Sequence, residues 1–240
     1  LPWWAAISLT SIALRTCITL PLSIISQRNA ARRESLKPVI NAWAQSIASE
    51  QRQQASVLTM STPDQFSKHV NKLARRRASE VFFKHGCHPM FGLLLPLTQI
   101  PLFVAMSIAI RDMCGTPALF VEHPHGLQAL LPGGESQAAW LLSLSEPDPW
   151  FVLPVAVGAS YLGNILLGAS TAAAAGVTSG STAKIQTILQ RVMIGVSVAM
   201  IPVAAVQPSA VCVYWLSSGV FSLVQQAIFR VPAVRKKLGF

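Results

Sequence analysis

The chain has 240 residues, 52% of them apolar and only 12% charged, yet its net charge is +10. Several stretches of about 20 residues hold no charge, or one, which is what a helix needs to cross a hydrocarbon core of roughly 30 Å, and this excludes an ordinary soluble domain. The basic residues alternate in blocks with those stretches, so they read as a topology signal and not as a nucleic-acid surface.

The first span is expected over about Trp4–Ile25, with Trp3 and Trp4 at an interfacial aromatic belt. The chain opens without Met, almost at this span, and any targeting segment is expected to have been removed or to lie upstream. Residues 26–88 hold eleven Lys/Arg against four Asp/Glu. They are expected to form a basic helical hairpin outside the bilayer, its first arm from near Pro38 to about Leu58 and its second from about Pro63 to Lys84. The break falls at Met60–Asp64, where Thr62 suits an N-cap, Pro63 the first helical position and Gln65 a capping box.

The second span is expected over about Met90–Ile110. An acidic loop follows over 112–149, with five Asp/Glu and no Lys/Arg. The third span is about Trp150–Gly168, and 169–182, built of small residues, reads as a linker. The fourth span is about Ile185–Ala205, Gln207-Pro208 make a tight turn, and the fifth span is about Ser209–Phe229. Five spans place the hairpin, Lys184 and the basic C-terminus on one side and the acidic loop on the other. By the positive-inside rule the N-terminus is then exported and the C-terminus retained.

The centre of the first span holds Arg15. An ionised Arg in hydrocarbon costs roughly 2.5–3.5 kcal/mol at a helix centre. Ser8, Ser11, Arg15, Thr19 and Ser23 follow at intervals of 3, 4, 4 and 4 residues, which puts them on one helix face. The other spans add polar residues, among them Gln99, Asn164, Gln190, Tyr214, Ser218 and Ser222. No span contains an Asp or Glu. With no carboxylate to pair with, Arg15 is expected to be solvated by water or a visiting ligand in an electropositive groove inside the bundle.

The segment ALRTCITLPL (13–22), the basic hairpin, HPMFGLLLPLTQIPLFVAMSIAIRDM (88–113) and MIPVAAVQPSAVCVYWLSSGVFSLVQQAIFR (200–230) together resemble the YidC/Oxa/Alb family of membrane protein insertases. The resemblance covers nearly the whole chain. Gly86-Cys87-His88-Pro89 and Ala109-Ile110-Arg111-Asp112 look most like the mitochondrial branch that assembles cytochrome c oxidase. The resemblance implies an all-α insertase core in the mitochondrial inner membrane, multi-pass, with its N-terminus in the intermembrane space and its C-terminus in the matrix. It also implies a polypeptide client, oxidase subunit two and specifically its C-terminal domain. The client's polar part would use the groove of Arg15, Ser8, Ser11, Thr19, Gln99, Asn164, Gln190, Tyr214, Ser218 and Ser222. Its apolar span would slide along Leu153, Val157, Leu216, Val220 and Leu223.

No GK[ST] phosphate loop is present, so transfer would run downhill or on the membrane potential. No enzyme activity, metal, cofactor or nucleic-acid partner is expected. The five His lie outside the spans, Cys17, Cys87, Cys114 and Cys212 show no CxxC spacing, and Ser217-Ser218 has no in-membrane base. A monomer in the lipid bilayer is the simplest assembly. A small-anion transporter and a passive assembly scaffold are the alternatives that the polar groove leaves open.

Overall fold

The computed structural model describes residues 1–55, 72–73, 76–77, 79–86, 91–115, 144–174 and 181–239. The expected hairpin break at Met60–Asp64 and most of the acidic loop lie outside the described residues. What is described is helical, with no strand. The elements are α1 (Trp3–Leu14), a π-helical turn (Arg15–Thr19), α2 (Leu20–Ala55), α3 (Phe91–Met113), α4 (Val152–Ala174), α5 (Ser181–Ala205), α6 (Ser209–Ile228) and α7 (Pro232–Leu238). Three described stretches are long and apolar enough to cross a membrane. One lies within Trp3–Glu50, and the others are Thr187–Ala205 and Ser209–Ile228; Val152–Gly168 is a shorter apolar stretch.

Two expectations are corrected here. The first arm of the hairpin does not begin at Pro38: α2 runs through that proline. Residues 26–37 (SQRNAARRESLK) are mostly good helix formers, and the single bond that Pro38 removes does not stop them. The linker 169–182 is also shorter than expected. α4 continues to Ala174 and α5 starts at Ser181; Ala172, Ala173 and Ala174 favour the extension, alanine having the highest helix propensity of any residue type.

The chain divides into two units, residues 1–21 with 98–235 and residues 22–97 with 236–240. In the first unit α6 is the central helix. Ala210, Val211, Cys212, Val213, Tyr214 and Trp215 are consecutive and all buried, so its first turns are covered on every side, as in a core helix. Around them pack Leu153 and Val157 of α4, Ala204 of α5, Ile110 and Phe103 of α3, and Trp3 and Ile7 of α1. Phe103 stacks on Trp215 with ring centroids 5.6 Å apart, and the Trp215 indole N–H donates to Ser107 Oγ at 3.0 Å.

The start of α6 is closed by chain, not by a side-chain cap. Ser209 N–H donates to the Glu146 carbonyl at 2.8 Å and Ala210 N–H to the Leu144 carbonyl at 2.9 Å, so residues 144–146 take up amides that an isolated helix would leave open. Asp148 then starts α4: its carboxylate accepts from Trp150 N–H at 3.0 Å and Leu153 N–H at 2.7 Å. Between them Phe151 takes a left-handed backbone (φ 57), a conformation unusual outside glycine.

Small residues let the helices approach. A Cβ on Gly158 would overlap the Ile201 side chain, and one on Gly219 would overlap Ser160 Oγ and come within 3.1 Å of Ser160 Cβ. Near the other end Arg230 donates to the Leu167 carbonyl, joining α6 to α4. Gly219→Ala is therefore expected to destabilise the helix core by about 1–3 kcal/mol through overpacking. Gly195→Ala, with nothing within 4 Å of its Cβ position, should cost nothing. Thermal unfolding of both variants in detergent checks the contrast.

Candidate functional site

The polar stripe of the first helix is held inward. Ser11 is 1% exposed, Arg15 8%, Thr19 3% and Ser23 7%. A four-residue step overshoots the 3.6-residue repeat by about 40°, so three such steps on a regular α-helix would drift by roughly 120°. The π-helical turn at Arg15–Thr19 fits one more residue into the turn and offsets part of that drift. The Arg15 carbonyl carries the change. It accepts the N–H of Leu20, five residues on, and the Thr19 hydroxyl at 2.8 Å. Thr19 thus closes the carbonyl that the wider turn loosens.

Arg15 reaches α6. Its Nε donates to Ser218 Oγ at 2.6 Å and one Nη to Ser222 Oγ at 2.7 Å. Ser218 and Ser222 are four residues apart, so both hydroxyls face the same way, and Ser222 in turn donates to the Ser218 carbonyl at 3.1 Å. Next to Ser218, Ser217 donates to Ser8 Oγ, about two turns before Arg15 on the first helix, at 2.9 Å. Hydrogen bonds to a charged group contribute about 1.5–3 kcal/mol each, enough for two of them to offset most of the insertion cost of an Arg. The protein's own hydroxyls therefore do part of the solvation that the sequence left to water or a ligand. They are neutral, however, and the chain has no Asp or Glu in residues 1–33 or 149–240. The positive charge keeps no internal counter-charge in these segments.

Beside the guanidinium lies a small, partly open cleft lined by Ser11, Leu14, Arg15, Thr19, Gln99, Leu102, Phe103 and Tyr214. Ser11 Oγ is buried with no hydrogen-bond partner among the described residues, as is Tyr161 Oη of α4. On the other side of α6, Asn164 donates to the carbonyls of Ser160 (2.8 Å) and Gly219 (3.0 Å), while Gln226 donates to Asn164 Oδ1 at 2.7 Å.

The structure thus brings together Arg15, Ser11, Thr19, Gln99, Tyr214, Ser218 and Ser222, with Ser8 a turn away. It sets Asn164 in a separate polar cluster between α4 and α6. Gln190 lies half-buried on α5 and makes no described contact with either group. Of the expected slide, Val220 is exposed and Leu216 and Leu223 are half-buried, but Leu153 and Val157 sit in the core at 4% and 0% exposure. These two do not face outward: α4 turns that side toward α6. Sequence reasoning missed the π turn, the Ser8–Ser217 bond, and the roles of Tyr161, Ser160 and Gln226. The paired hydroxyls of Ser218 and Ser222, at helical spacing, were the available signal for the partner of Arg15.

Cys114, just past α3, points its thiol at the Leu144 carbonyl (3.9 Å), and burial pushes its pKa up to about 11. A thiol held neutral is a packing group and a poor metal ligand. Among the described residues no three His, Cys, Asp or Glu side chains gather into a metal-binding group.

Comparison with known proteins gives one consistent picture. The family model described as 60Kd inner membrane protein matches residues 2–236. The cytochrome c oxidase assembly protein COX18, mitochondrial, of Homo sapiens is 32% identical over 236 residues, 98% of this chain and 67% of that protein. The mitochondrial inner membrane protein OXA1L of Mus musculus is 34% identical over 238 residues, 99% of this chain but 47% of its own length.

Ser218→Ala removes the fully buried partner of Arg15 Nε and is expected to lower stability by about 1.5–3 kcal/mol. Ser222→Ala, at a half-buried position, should cost less. Unfolding of both in detergent, beside the double variant, measures the two bonds; near-zero loss in all three would mean that solvent holds the guanidinium.

Proposed function

Because the chain belongs to the 60Kd inner membrane protein family, we propose that it is a membrane protein insertase of the mitochondrial inner membrane that acts in cytochrome c oxidase assembly. The names of the human and mouse relatives support the compartment, and that of the human relative the pathway. The observation that carries the mechanism is Arg15, buried, held by two neutral hydroxyls and bordering an open cleft.

A positive charge with no acidic residue in segments 1–33 and 149–240 to neutralise it attracts carbonyls and carboxylates in a low-dielectric bundle far more strongly than it would in water. A polar client segment entering the cleft meets the guanidinium and the hydroxyls and amides around it, Ser11, Thr19 and Gln99 among them. The orphaned Ser11 hydroxyl is a further polar group that such a segment satisfies. Each contact lowers the cost of taking peptide groups out of water. The client's apolar part meanwhile passes to lipid along exposed faces, Val220 being the outward member of the expected slide. No bond of the client is made or broken, so this is not an enzyme reaction.

In this reading five spans cross the bilayer, the N-terminus lies in the intermembrane space and the C-terminus in the matrix. One monomer contains one groove, and the client is the C-terminal domain of oxidase subunit two. The charge pattern supports the orientation, and the family resemblance supports the client.

Export of that client domain in intact organelles, read by protease protection, tests the proposal. Arg15→Ala is expected to lose most export, about tenfold or more if one charge-assisted contact of roughly 1.4 kcal/mol or above is missing. Arg15→Lys should keep part of it, since the charge stays and the planar fork is lost. Unchanged export in Arg15→Ala would remove the guanidinium from the mechanism. Flux of small anions through proteoliposomes would favour a transporter, and client crosslinks without export a passive scaffold.

A further inference from the structure

A second basic cluster lies where α2 leaves its apolar stretch. Arg28 Nε donates to the Leu238 carbonyl at 2.7 Å, joining two segments about 200 residues apart in sequence. Leu238 ends α7, and its carbonyl is one of those a helix end leaves open. Arg28, Arg32, Lys236 and Lys237 are all exposed. Arg28 and Arg32 are four residues apart and share a helix face. Glu34 lies two residues beyond Arg32, about 200° around the helix and so turned away from that face. The guanidinium of Arg28 has five N–H donors, of which this bond uses one.

The apolar surface stops at this place. Ile25 is 49% exposed and lies three residues before Arg28, about 4.5 Å along the helix. A ligand that fits here carries negative charge beside the cations and hydrocarbon against Ile25. A soluble acidic peptide meets the first requirement alone.

We propose that Arg28, Arg32, Lys236 and Lys237 form a binding site for the phosphate headgroup of an anionic phospholipid, with the Arg28–Leu238 bond holding the two segments together around it. The site needs only that the apolar stretch ending near Ile25 crosses the bilayer, and it stands or falls separately from the insertase reading.

The full chain in phosphatidylcholine nanodiscs, with trace spin-labelled phosphatidylglycerol or spin-labelled phosphatidylcholine, provides the test. Phosphatidylglycerol should be enriched at the protein surface by about threefold or more over phosphatidylcholine, given the attraction of each Lys or Arg near a headgroup layer. Enrichment should fall toward parity in Lys236→Gln/Lys237→Gln, exposed positions whose change leaves the helix core intact, and in Arg28→Gln. Arg28→Lys should be intermediate. Arg76→Gln/Arg77→Gln, which removes two exposed cations outside the cluster, should change nothing. Equal selectivity in all variants, or an equal loss in that control, overturns the site. Displacement of the labelled lipid by inorganic phosphate or by a soluble acidic peptide overturns it as well, by showing that the acyl chains contribute nothing.

Discussion

The bundle depends on a guanidinium held by hydroxyl groups. An Arg paired with a carboxylate would be electrically quiet; an Arg with no partner would be too costly in a hydrocarbon setting. Two serines give the intermediate case. They hold the side chain of Arg15 in one position, and they leave its charge in place. The helix that presents the Arg and the helix that receives it are thereby fixed to one another, and the polar cleft lies beside them, between the first helix and α3 with Tyr214 of α6 also lining it.

Backbone geometry makes this possible. Four-residue spacing of polar side chains is slightly too long for a regular helix, and the π-helical turn absorbs part of the difference where the Arg sits. Thr19 belongs to the stripe and also repairs the turn, since its hydroxyl binds the carbonyl of Arg15. Threonine is a weak helix former for the same reason it suits this place: its hydroxyl competes for nearby backbone groups.

Much of this was legible in the sequence. The all-helical class, the apolar stretches and the inward stripe follow from charge-free runs and helical spacing, because burying a charge in lipid is so expensive that its exceptions stand out. Leu153 and Val157 show where legibility ends. In a membrane protein the core and the lipid are equally apolar, so a Leu and a Val four residues apart look the same whichever way they face. Gly158, next to Val157, was the better guide, because only a close helix neighbour makes the missing Cβ matter. Pro38 misled in the opposite direction: a proline weakens a helix locally, but the surrounding residues set whether it continues. The partner of Arg15 was half visible, as two serines one turn apart, and only the fold says which of the other apolar helices comes opposite.

The folded-back carbonyls at the start of α6 have an electrostatic outcome. A bare helix amino end acts as roughly half a positive charge and is itself an anion trap. With Leu144 and Glu146 plugging those amides, that end no longer rivals Arg15 for negative guests. In the insertase reading, an arriving acidic group therefore meets the Arg15 guanidinium at mid-helix, while the amides of residues 209–212 at this helix tip are already taken by chain carbonyls.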